Sequence, residues 1–163
     1  MSVADDTEWD RDAWDLDPDS AALALAVFTP STTAAIMREA LYGTRRFEDF
    51  LRRTGISPSV LAARLRELVA QNVLVKRPYQ EPGARAREEY CLTEKGRDVA
   101  PAVIALINWA DRWLSGDRGP TVVLNHRDCG APIETVMMCA HGHELRAVRD
   151  VAVAPGPGAR PRT

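Results

Sequence analysis

The sequence predicts a mainly α fold with one small β-hairpin, α+β by class, on three observations. Helical segments bounded by capping residues, glycine or proline succeed one another between residues 20 and 72. A strand–loop–strand stretch follows at 73–92, and an apolar stripe at helical spacing then runs from 93 to about 116. With 163 residues, 45% of them apolar, the chain is long enough to bury a real core.

Residues 1–19 carry eight acids against Arg11 alone and show no helical period, so they read as a flexible acidic arm able to dock Trp9 or Trp14. Ser20 is expected to cap a short, alanine-rich and largely buried helix over residues 21–28, which Thr29-Pro30 ends. Ser31 caps a second helix carrying Ala35, Ile36, Glu39, Ala40 and Leu41, and Gly43 supplies its left-handed stop. A third helix over 46–54 places Phe47, Phe50 and Leu51 on one face before Gly55. Ser57-Pro58 then opens a fourth, running to Asn72, in which Leu61, Leu65 and Leu68 recur at i, i+4 and i+7. Two helices joined by Gly55-Ile56-Ser57 have the length and punctuation of a helix-turn-helix.

The stretch 73–77, a loop with two prolines and a glycine, and the stretch 85–92 predict the two strands of a β-wing. Thr93 is expected to cap one long amphipathic helix whose stripe is Val99, Val103, Leu106, Ile107, Ala110, Trp113 and Leu114. That stripe outruns the small domain beside it, and such a surface is covered by a second copy. Leu23, Val27, Ile107, Ala110, Trp113 and Leu114 are the expected dimer contacts. The domain plan is therefore an arm at 1–19, a winged helix-turn-helix and dimerisation domain at 20–116, a small β-rich extension at 117–153 and a disordered Pro/Gly tail at 154–163.

No apolar run approaches the roughly 20 residues of a membrane span, and the acidic N-terminus is the opposite of a signal peptide, so a cytoplasmic protein is expected. The net charge of -2 conceals a strong asymmetry. Residues 45–97 hold twelve Lys or Arg against seven acids, +5, whereas residues 1–20 come to -7. Cys91, Cys129 and Cys139 make an odd count that argues against a disulfide scaffold.

The string Ala40-Leu41-Tyr42-Gly43-Thr44-Arg45-Arg46-Phe47, the Gly55-Ile56-Ser57 turn, Leu61-x-x-Arg64-Leu65-x-x-Leu68 and Leu92-Thr93-Glu94-Lys95-Gly96-Arg97, in this order and spacing, resemble the HxlR family of winged-helix regulators. The likeness spans about residues 22–113. It implies a non-catalytic homodimer on palindromic DNA, held together by its N-terminal and long C-terminal helices. The segment from Leu124 to Gly130 with Cys139 also looks like an extension of some actinobacterial members. Two departures stand out: Thr29-Pro30-Ser31-Thr32 replaces the usual aromatic-containing stretch, and the usual N-terminal cysteine is missing, so thiol sensing through it is not carried over.

On this plan the fourth helix turns Ser57, Pro58, Ser59, Ala63, Arg64 and Arg66 toward a major groove, away from its leucines. Arg77, Arg85 and Arg87 lie along the wing for the minor groove or backbone, and Arg45 and Arg46 hold a phosphate at the start of the third helix. Isolated arginines are better explained by helix ion pairs such as Arg64 with Glu67, and it is the helix-turn-helix context that favours the DNA-facing role here. His126, Cys129, Cys139 and His141 or His143 have spacings compatible with a tetrahedral zinc site, or are small packing residues of a hairpin. Cys91 in the second wing strand is an inert thiol or a sensor. A small-molecule effector is a further expected partner, and no other cofactor is legible. No phosphate loop and no Ser/His/Asp set occurs, which leaves a protein-interaction module or a zinc-dependent hydrolase as the alternatives to a DNA-binding regulator.

Overall fold

A computed structural model describes residues 10–17, 19–28, 30–83 and 85–162. The expectations for Trp9 and most of the acidic arm, and for Thr29 as a helix stop, lie outside these residues. The chain divides into two compact units, Val27–Thr135 and the paired ends Met1–Ala26 with Val136–Thr163.

The larger unit follows the expected element order closely. Helix α1 (Ser20–Phe28), which belongs to the smaller unit as far as Ala26, is followed in the larger unit by α2 (Ser31–Leu41), α3 (Phe47–Thr54) and α4 (Pro58–Ala70). Gly43 and Gly55 adopt φ of 91° and 67°, the left-handed stops that their positions predict. Ile36, Met37 and Ala40 of α2, Phe50 of α3 and Leu61, Leu65 and Leu68 of α4 close on Val73 and Leu74 to form one core. Each buried leucine contributes about 2 kcal/mol by removal from water. Phe50 meets the ring of Tyr90 edge to face, 6.4 Å between centroids, and so ties this core to the wing.

The wing is an antiparallel pair, β2 (Leu74–Tyr79) and β3 (Arg87–Leu92), in register from Leu74↔Leu92 to Tyr79↔Arg87. Beyond it the expected single long helix is two: α5 (Glu94–Arg97) and α6 (Ala100–Trp113). Pro101 is the physical reason, since it has no N–H to give the preceding turn and its ring would collide with the carbonyl four residues back. Thr93 does cap, but it caps α5, accepting the Gly96 N–H at 3.0 Å and donating to the Asn72 carbonyl at 2.7 Å. Lys95 and Arg97 donate to the carbonyls of Gln71 and Leu92, each at 2.9 Å. Gly96 is required here because any Cβ would strike the backbone carbonyl of Val73.

Helix α1 and the segments beyond α6 differ from what their sequences predict. Helix α1 has no fully buried residue: its apolar content gives it helix propensity, but only Val27 and Phe28 at its end pack against the core, and the Asp19 carboxylate, not Ser20, accepts the first N–H at 2.9 Å. The extension at 117–153 is turn-built. Its β content among the described residues is two isolated bridges, Asn125↔Pro132 and Met138↔Glu144, and no strand forms over 121–124. Its first part belongs with the winged core, because the Asn108 amide donates to the Ile133 carbonyl at 3.3 Å and to Thr135 Oγ1 at 3.4 Å, fastening the turn over 124–133 to α6.

In the smaller unit the tail expected to be disordered is paired: β1 (Trp14–Asp15) runs antiparallel to β4 (Arg160–Pro161), and Arg162 donates from its backbone to the Ala13 carbonyl at 2.8 Å. Cys139 and His143 close a tight turn through a backbone hydrogen bond of 3.0 Å, and Asp150 accepts the N–H groups of Arg146 and Ala147 at 2.9 Å.

Candidate nucleic-acid interface

Helix α4 is two-sided. Leu61, Leu65 and Leu68 are buried, and the opposite side presents Ser59, Val60, Arg66 and Ala70 to solvent, with Ala63 half-covered between them. Ser57 occupies the N-cap position in extended conformation with Pro58 following, but its hydroxyl makes no capping bond. The N-terminus of α4 therefore offers a free hydroxyl and open N–H groups beside Ser59. Arg66 gives only its Nε to the Ala62 carbonyl, at 3.3 Å, and its guanidinium forms no ion pair among the described residues. Arg64 differs: it is pinned to Glu67 at 2.5 Å across one turn, the ordinary helix pairing.

The acids of the wing, which weaken a simple count of positive charge, are each occupied. Glu81 pairs with Arg46 at 2.7 Å, Glu88 with Lys76 at 2.7 Å and Glu89 with Arg45 at 3.4 Å. Hydrogen bonds donated to the Glu81 and Glu88 carboxylates hold Arg46 and Lys76 above their ordinary pKa values, so both stay charged. Arg46 also lies over the Tyr79 ring, 4.6 Å from its centroid. Arg77, Arg85 and Arg87 are exposed and form no ion pair with a described residue. Of the expected basic set, the α4 face and these three wing arginines are uncommitted. Arg45, Arg46 and Arg64 are already engaged within the chain.

Behind this surface a polar pin fixes the α2–α3 turn. The Thr44 hydroxyl donates to the buried Glu39 carboxylate at 3.0 Å and accepts a bond from Arg53 of α3, while Arg38 pairs with the same carboxylate at 3.3 Å. The Tyr90 N–H reaches the Arg45 carbonyl at 2.8 Å, joining the wing to that turn.

Helix α6 carries a second surface. Leu106, Trp109 and Trp113, at i, i+3 and i+7, are 66%, 55% and 64% exposed along one side, and Leu114 is exposed just beyond. The sequence reading places Ile107 and Ala110 in the interface, but both are half-covered. It passes over Trp109, which a stricter 3.6-residue count from Leu106 to Trp113 reaches. Leu23 is exposed on α1, whereas Val27 packs against the winged core.

His126 Nδ1 and Cys129 Sγ meet at 3.2 Å in the turn over 126–129. Among the described residues no three His, Cys, Asp or Glu side chains gather as a metal-holding group, and the other two expected ligands, Cys139 and His143, belong to the smaller unit. Cys91 is half-covered, and burial, followed by its hydrogen bond to Glu89 at 3.5 Å, pushes its thiol above the ordinary value. That is the opposite of an activated thiolate.

Residues 31–118 match the model of the family described as HxlR-like helix-turn-helix, more than half of the chain. The chain belongs to this family. Its HxlR-like relatives include an uncharacterized HTH-type transcriptional regulator of Mycobacterium tuberculosis, 37% identical over 140 residues that cover 86% of this chain and 87% of the relative. Among solved structures it is similar to PA1607, named as a candidate transcription factor, with a TM-score of 0.76 at 30% identity over 86% of this chain and 96% of that one. It is also similar to PA1374 from Pseudomonas aeruginosa, TM-score 0.59 at 31% identity over 85% and 93%. The HxlR-like domain is thus a winged helix-turn-helix of the transcription-regulator type, and the similarity to PA1607 extends past the domain into the segments on either side. Among the described residues no single helix is long and apolar enough to cross a membrane.

Proposed function

We propose that this HxlR-like chain is a cytoplasmic, non-catalytic transcriptional regulator that binds a palindromic operator as a homodimer. The observation that carries the reading is the two-sided α4: its leucines anchor it, and Ser59, Ala63 and Arg66 face outward from a helix whose N-terminus is also open. That face enters the major groove and reads base edges, with Arg66 the side chain long enough to reach a guanine. Arg77, Arg85 and Arg87, which form no ion pair among the described residues, supply the sequence-independent attraction to phosphate. The apolar side of α6 formed by Leu106, Trp109 and Trp113 joins the two copies, because an exposed stripe of this size is costly in water. A dimer seated on a promoter excludes other proteins from it, and repression is the resulting outcome.

The test is a binding titration with fluorescently labelled duplex from upstream of the chain's own coding region, against random duplex, over a range of salt. Specific binding with a steep salt dependence is expected. Arg66→Ala should remove the preference for the specific duplex at a cost of about 1–3 kcal/mol. Arg87→Ala should weaken both duplexes alike and lower the salt slope by about one unit. Equal affinity for all duplexes, unaltered by Arg66→Ala, would reject the reading.

A further inference from the structure

We infer that the turn over 124–133 and helix α6 border a half-open binding site for a small, neutral aromatic effector, and that its occupancy alters operator affinity. The inference rests on the regulatory reading above, and its test separates the two. The cavity has a volume of about 300 Å³ and lies between the end of α2, α6 and the turn, where Leu41, Val103, Ile104, Ile107, Leu124 and Ile133 form apolar walls. That volume falls at the small end of ligand sites, the size for a one- or two-ring molecule. None of its ten lining residues is charged, so an ionised ligand would lose its hydration without compensation. Tyr42 and Asn125 are the two lining residues whose side chains carry hydrogen-bonding groups, a hydroxyl and an amide.

The site is a property of the extended chain. The family-wide domain ends at residue 118, whereas Val123, Leu124, Asn125 and Ile133 lie beyond it and build one wall. Asn108 holds that wall to α6 through Ile133 and Thr135. Ile104 and Ile107 line the cavity while Leu106 and Trp109 of the same helix face outward, so a ligand on one side of α6 bears on the stripe assigned to the second copy. Leu41 and Tyr42 lie immediately before the Gly43-Thr44 turn that Glu39 and Arg53 fix to α3. A molecule that wedges these walls apart thereby shifts the helix-turn-helix relative to the dimer helix. Only a ligand that prefers one of the two arrangements will change DNA affinity, which makes the coupling measurable.

The test uses the full chain with 1-naphthol and indole as neutral probes and benzoate as the charged control, followed by fluorescence and calorimetry. Saturable binding of a neutral probe at one site per chain is expected, with benzoate not binding. Ile104→Trp, which fills the cavity, should weaken the probe at least about ten-fold. Val123→Trp does so from the rim, and as Val123 is 66% exposed this variant keeps the fold if Ile104→Trp does not. Bound 1-naphthol should shift operator affinity by about five-fold or more. The inference is overturned if neither neutral probe saturates below about 1 mM, a weak affinity even for small ligands, or if both variants bind as the parent does. It is equally overturned if Ile104→Trp abolishes dimerisation, which would make the partner copy the occupant. Probe binding without any DNA binding would retain the site and reject the regulatory reading.

Discussion

Gly96 and Cys91 show how single residues in the motif region are set by contact geometry. Gly96 sits where a methyl group would overlap the Val73 carbonyl, and its N–H is the one that Thr93 caps, so the Thr93–Arg97 segment is pressed against the base of the wing. Gly96→Ala is expected to cost about 2–3 kcal/mol, because the clash is with backbone that cannot rotate away. Urea unfolding followed by circular dichroism would register it, and an unchanged midpoint would mean that the segment stands off from Val73. Cys91 is read at the same scale through its raised thiol. A group whose folded pKa lies above its unfolded value stabilises fully at pH below the unfolded value, and that contribution is lost as pH rises through the folded one. Cys91 thus stays protonated at neutral pH. Timed alkylation with iodoacetamide at pH 7.5, read by mass spectrometry, should modify exposed Cys129 and Cys139 well before Cys91. Faster labelling of Cys91 would reinstate it as a sensor.

At the scale of elements, the sequence was informative wherever a local rule and a packing rule agreed. Gly43, Gly55 and Pro58 punctuate α2, α3 and α4 in the places their backbone chemistry demands, and Leu61, Leu65 and Leu68 turn inward as their spacing requires. Reading failed where only one rule operated. Helix α1 has strong propensity but only its last residues, Val27 and Phe28, meet the core, and periodicity alone carries the predicted long helix across Pro101, which ends its continuity. The Arg64–Glu67 pair is legible from its i,i+3 spacing, whereas the pairs that engage Arg45 and Arg46 depend on which acids the wing brings alongside, and no one-dimensional count supplies that. The turn over 124–133 was opaque for a related reason: one side chain, Asn108, decides its place, through two bonds to positions 25 and 27 residues later. Asn108→Ala should therefore leave the helix-turn-helix intact, costing about 1 kcal/mol at most. Amide hydrogen exchange over residues 120–135 should nonetheless become markedly faster, as expected of a segment that has lost its anchor. Unchanged protection there would show that the apolar wall alone holds the turn.

For the whole molecule, affinity for DNA depends on how many positive charges can face the duplex at once. The overall charge of -2 gives one chain no general attraction to a polyanion, while residues 45–97 carry +5 and hold the uncommitted arginines. On the proposed reading, joining two copies doubles those contacts at one association step, and the exposed stripe of Leu106, Trp109 and Trp113 is the surface that would join them. Trp109→Glu places a charge in the middle of that stripe. The substituted side chain remains in water within the monomer, since Trp109 is already more than half exposed, so thermal stability of the isolated fold should change little. Association should suffer instead, because burying an unpaired carboxylate at an apolar contact is strongly unfavourable. Sedimentation velocity at micromolar concentration should then show a monomer, and the salt slope of operator binding should drop by roughly half as one reading head replaces two. If the variant still sediments as a dimer, the copies meet elsewhere, and the exposed leucines of α1 become the surface to substitute next.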